Sequence, residues 1–169
     1  MSEGTWDVAN PELDDVKPQH TLDNMPAVWD SHTLEQKVQI ILDVVEDQMR
    51  LVRNGEFSPK DSKEVAALAL EGQMCLIEFY TDTEAQAKNA KHIAEYIEAE
   101  TCSALAATAV SLGDKRPSEV ALKRNALASD EVRKAKKTAI DLEKEHKKWR
   151  CVMEILKEAH VFFRRMSND

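Results

Sequence analysis

Turn-forming residues are scarce in this chain: four glycines and five prolines in 169 residues. A β-sandwich or barrel needs a turn signal every eight to twelve residues or so. Aromatic residues, which strands favour, make up only 5%. Gly4, Gly55, Gly72 and Gly113 are scattered, so no glycine-rich loop can cradle a phosphate, and no GxSxG, GxGxxG, P-loop or HExxH motif occurs. The three cysteines, Cys75, Cys102 and Cys151, are odd in number and lack CxxC spacing, which argues against zinc or dithiol chemistry and for buried thiols in a reducing compartment. No apolar run reaches the roughly 18 residues of a membrane span. The acidic start MSEGTWDVANPELDD is unlike the basic, then apolar, start of a secretory signal. The expected location is the cytoplasm, with no membrane partner.

What the chain does contain is charge, at 32%, and small or aliphatic side chains within a hydrophobic share of 43%. That mixture at helical spacing predicts an all-α protein, a helical bundle ending in a long coiled-coil-like helix. The net charge of −8 is unevenly spread: residues 1–100 hold 8 Lys/Arg against 21 Asp/Glu, and residues 101–169 hold 15 against 10. An acidic front and a basic rear suggest a polyanion-binding half.

Residues 1–30, with Pro11, Pro18, Pro26 and several aspartates, read as a flexible acidic N-terminal arm. Its Trp6 and Trp29 are expected to dock on the chain itself. Residues 31–169 read as a single helical domain. A first helix is expected from Thr33 to Asn54, ended by Gly55, with Leu34, Val38, Ile41, Val45, Gln48 and Val52 as its stripe. A second starts at Ser58-Pro59 and runs to Tyr80. Thr81-Asp82-Thr83-Glu84 reads as a new cap, opening an alanine-rich helix to Leu112. After the basic turn at Asp114–Ser118 comes a short helix, Glu119 to Leu127, and Ser129-Asp130 opens the last one, within 129–166.

That last helix carries Val132, Ala135, Ala139, Leu142, His146, Trp149, Met153, Leu156, His160 and Phe163 in unbroken steps of three and four. This is a coiled-coil seam, and Val132, Leu142, His146, Trp149, Met153, Leu156, His160 and Phe163 are assigned to oligomerisation. The spacing serves packing within one chain equally well. The two histidines are expected to be partly exposed or hydrogen-bonded rather than metal ligands.

Nothing converges as an active site, so no catalytic residue, metal or cofactor is expected. Glu35, Asp43, Glu46 and Asp47 are scattered acids on solvated faces. A metal-dependent nucleotide hydrolase relying on Glu46 or Glu71 is the weakest of three readings. The cations say more: Lys115, Arg116, Lys123, Arg124, Arg133, Lys134, Lys136 and Lys137 fall within 23 residues, a candidate nucleic-acid-binding set. With few aromatics to stack on bases, such binding would be electrostatic and tolerant of sequence.

The stretch from Lys115 to Met166 resembles the C-terminal part of UvsY-type recombination mediators of tailed phages. A basic-alanine segment (Val120-Ala121-Leu122-Lys123-Arg124) precedes a Ser-Asp cap, a long helix with Trp149 near its middle, and an aromatic-basic end (Phe162-Phe163-Arg164-Arg165). The resemblance implies a non-enzymatic homo-oligomer in the host cytoplasm. It would bind single-stranded DNA and load a recombinase onto strands covered by a single-stranded-DNA-binding protein, with Lys123 and Arg124 on the DNA. The alternative is a helical adaptor or inhibitor whose acidic front mimics nucleic acid.

Overall fold

The computed structural model describes residues 20–25 and 31–167. Trp6, Trp29 and the acidic arm expected over 1–30, apart from a single 3-10 turn at Leu22–Asn24, lie outside the described residues. The fold is all-α: α1 (Leu34–Asn54), α2 (Ser62–Ser111), α3 (Glu119–Ala126) and α4 (Asp130–Met166), with no strand among the described residues. Among the described residues no helix is long and apolar enough to cross a membrane.

Local chemistry sets the helix ends. At α1 the Thr33 hydroxyl accepts the Gln36 amide at 3.3 Å while the Gln36 side chain accepts the Thr33 amide at 2.9 Å, a reciprocal cap for two amides the helix cannot serve. Thr33→Ala is expected to destabilise by about 1 kcal/mol, read as a shift in urea midpoint. Gly55 ends α1 at φ 72° and sends its N–H to the Leu51 and Val52 carbonyls, a left-handed position that glycine occupies without strain.

The expected break at Thr81–Glu84 is corrected: α2 runs unbroken for 50 residues. The Thr81 hydroxyl donates back to the Ile77 and Glu78 carbonyls at 3.0 and 2.7 Å, and that of Thr83 to Tyr80 at 2.9 Å. Threonine can cap the next turn or bond to the previous one. Here it does the latter, with neither glycine nor proline nearby to stop the helix.

The chain divides into two compact units, Met1–Gly72 with Leu156–Asp169, and Gln73–Ile155. In the first unit, α1, the start of α2 and the end of α4 meet around Gly72. A Cβ placed there would lie 3.0 Å from Leu156 Cδ1 and 3.2 Å from Ile41 Cδ1. Val38, Ile41, Val44, Val65, Leu156 and Phe163 are fully buried here, and the Phe163 ring packs on Phe57 at 5.5 Å. Gly72→Leu is expected to destabilise by roughly 1–3 kcal/mol through overpacking, checked by chemical denaturation.

In the second unit, partners climb α2 as they descend α4, so the two segments are antiparallel. Phe79 meets Trp149 edge-on at 5.1 Å, Tyr80 meets His146 at 4.9 Å, and Glu98 pairs with Lys136 at 2.8 Å. Trp149 is 3% exposed, and its Nε1 donates to Glu145 at 3.0 Å.

Candidate nucleic-acid interface

All eight cations singled out from sequence lie in the second unit. α2 stops at Gly113, φ 81°, where the Gly113 and Asp114 amides close back on Val110 and Ala109. The chain then exposes Lys115 and Arg116 just beyond the C-terminal end of α2, where the negative end of the helix dipole favours positive charge. Ser118 caps α3 by accepting the Ala121 amide at 3.3 Å. In this two-turn helix Leu122 and Ala126 are buried while Lys123 and Arg124 face outward.

The eight differ in how far they are already engaged. Lys123 Nζ binds Glu119 at 2.8 Å, Arg133 binds Asp130 at 2.5 Å, and Lys136 binds Glu98 at 2.8 Å. The bond from Lys123 holds the exposed Glu119 carboxyl below its usual range, and Glu119 holds the Lys123 ammonium above its own; Glu98 and Cys102 reinforce the latter. Lys115, Arg116, Arg124, Lys134 and Lys137 are exposed and carry no ion pair among the described residues. Arg116 also borders a shallow depression over Cys102, Ser103 and Ala106 of α2.

Glu119 competes with any phosphate for Lys123. Glu119→Gln removes that competitor and is expected to tighten oligo-dT binding about two- to threefold at low salt, in line with the worth of a single exposed pair. Anisotropy titration checks it; weaker binding would exclude Lys123 from the interface.

Sequence reasoning misjudged several surroundings. The unit as a whole is not basic, since its 14 Lys/Arg face 14 Asp/Glu and the whole net charge of −8 belongs to the first unit. The rear of the chain shares its unit with the acids of α2. Asp43 and Asp47, read as solvated, are 8% and 4% exposed, whereas Glu35 and Glu46 are exposed as expected. Asp47 takes Arg50 at 2.6 Å and Asp43 takes the Gln39 amide at 2.8 Å. Among the described residues no three His, Cys, Asp or Glu side chains gather as a metal site. Of the thiols, Cys75 and Cys102 are half-buried, but Cys151 is exposed, against expectation.

The seam of α4 was read correctly as a face, and that face is engaged within the chain. Val132, Trp149, Leu156 and Phe163 are buried, and Leu142, His146, Met153 and His160 half-buried. His160 Nδ1 donates to the Ala66 carbonyl at 2.9 Å, while His146 Nδ1 is buried with no hydrogen-bond partner among the described residues. The residues assigned to oligomerisation therefore meet neighbours of their own chain. Phe162 and Phe163 stack edge-on at 5.2 Å with Phe163 fully buried, leaving little ring surface for bases at that end. The exposed ring that sequence reading missed is Tyr96, at 67%; no local signal separates it from its apolar neighbours Ile93 and Ile97.

No family model, curated protein or solved structure matches this chain.

Proposed function

We propose that this protein binds single-stranded DNA through the phosphate backbone, as a non-enzymatic recombination mediator of the UvsY type that helps load a recombinase as an oligomer. The observation that carries the reading is the set of five exposed cations with no ion pair among the described residues, Lys115, Arg116, Arg124, Lys134 and Lys137, borne by one unit within 23 residues of sequence. Phosphate contacts displace condensed counterions and need no base recognition, which suits a unit with one exposed aromatic ring. Tyr96 is available to stack on a base.

The test is anisotropy of labelled oligo-dT titrated with the protein at low and moderate salt, with supercoiled duplex as competitor. Salt-sensitive binding that favours the single strand supports the reading; no binding at low salt ends it. The acidity of the first unit favours a second reading, an adaptor or inhibitor that mimics nucleic acid. In that case oligo-dT fails to bind and the protein instead displaces DNA from a DNA-binding partner.

A further inference from the structure

The two units differ sharply in how they use their apolar residues. Among the described residues, the first buries Val38, Ile40, Ile41, Val44, Val45, Leu68, Phe163 and others, and leaves only Leu70 and Val161 among the exposed large hydrophobics. The second buries four large ones, Leu76, Leu122, Val132 and Trp149, with alanines filling the rest, and exposes ten, Ile93 and Ile140 among them. A unit built from two antiparallel helices and a short third has one seam and no second layer, whereas stable domains cover each apolar stripe with another element. Of these ten, Ile140 stands beside a groove.

One flank of the seam is shaped for an occupant. Between α2 and α4 lies an open groove of about 480 Å³ with Ala87, Ala94 and Ala139 as its floor and Ile140, 51% exposed, standing at its edge. The floor is a hole and Ile140 is a knob, on the same surface. The rim alternates in sign. Glu84 is bound to Lys88 at 2.7 Å and Glu98 to Lys136 at 2.8 Å. Lys91 has no ion pair among the described residues, though its charge acts on Glu143, itself bound to Lys147 at 2.8 Å, and Glu95 has only His92 at 3.8 Å. A surface with both a knob and its hole, and both a spare cation and a spare anion, complements a copy of itself turned about a two-fold axis.

We propose that this groove is where the second unit of another copy of this chain docks, each Ile140 seated on the alanine floor opposite and each Lys91 reaching the other copy's Glu95. Charge permits it: with 14 Lys/Arg against 14 Asp/Glu, the second units do not repel one another, and the excess of −8 sits in the first unit. The groove follows α2 from Glu84 to Glu98, about 21 Å, and two helices are about 20 Å wide. The face is thus about 400 Å² per copy, about 800 Å² in all, less than the roughly 1,200 Å² of a standard stable interface, so assembly is expected to be weak and transient, on the order of tens of micromolar. The contact takes Ala139 from the edge of the α4 seam and, of the cationic cluster, only Lys136.

The experiment is sedimentation velocity of the full chain, without DNA, from about 1 to 100 μM. A dimer is expected to form across that range. Ile140→Glu, a change at an exposed position, is expected to raise the dissociation constant at least tenfold with helicity unchanged by circular dichroism. Lys91→Glu and Glu95→Lys each weaken assembly, and the double swap restores it. A monomer throughout the range, or assembly indifferent to both Ile140→Glu and Lys91→Glu, overturns the proposal. Because no DNA is present, that result leaves the oligo-dT titration to be judged separately.

Discussion

Replacing Lys115, Arg116, Arg124, Lys134 and Lys137 together by alanine is expected to weaken oligo-dT binding on the order of 100-fold at moderate salt while leaving the far-ultraviolet circular dichroism unchanged. The magnitude follows from counterion release. Each phosphate contact on a single strand contributes about 0.7 to the slope of log affinity against log salt, so five contacts contribute about 3.5. Taken from about 1 M, where the counterion contribution vanishes, down to about 0.2 M salt, that amounts to roughly two decades. The fold is spared because these side chains are exposed and hold no ion pair among the described residues. Removing Lys123, Arg133 and Lys136 instead is expected to have a smaller effect on binding, since each must first leave a carboxylate at 2.5 to 2.8 Å. Anisotropy at several salt concentrations decides: an unchanged slope in the five-fold variant would mean that DNA, if bound, is bound elsewhere.

Phe163→Ala is expected to destabilise the first unit by about 3–5 kcal/mol, the usual result of emptying a fully buried aromatic site. Phe163 is completely buried, with the Phe57 ring 5.5 Å and the Phe162 ring 5.2 Å from its own. Two ring contacts and their packing vanish together, and the helices around it cannot close the gap without disturbing Leu156 on Gly72. Total stability of a domain is only about 5–15 kcal/mol, so the urea midpoint should fall by about a fifth or more. A change below about 1 kcal/mol would show that Phe163 is not enclosed. Arg164 and Arg165, exposed on the same turn, serve as controls, expected within about 0.5 kcal/mol on replacement by alanine.

The helix ends were legible because the physics that sets them is local. Thr33 with Gln36, Gly55, Ser118 and Gly113 each satisfy or release backbone groups within four residues of themselves, and such signals stand in the sequence whatever the rest of the chain does. The seam of α4 was legible for a related reason: a helix repeats every 3.6 residues, so an inward face must recur in steps of three and four, from Val132 to Phe163. Thr81 and Thr83 misled because threonine serves two local bonding patterns equally well. The choice between them depends on whether neighbouring turns pack, as they do with Phe79 on Trp149. The buried state of Asp43 and Asp47 was invisible for the complementary reason. A carboxylate carries no mark of what will cover it, and burial becomes tolerable only once Arg50 and Gln39 are in place.

By itself, then, the sequence determined the all-α class, the limits of α1, α3 and α4, the inward faces of α1 and α4, and the position of eight cations along the chain. Composition, capping and periodicity act over a few residues and need no partner. Tertiary structure alone decided what the α4 seam touches, because contacts such as Ala66 with His160, 94 residues apart, arise from the register of whole helices. It also decided which cations remain unpaired and which apolar residues stay uncovered. Both depend on what lies across the gap between elements, and that distance is not written in either element.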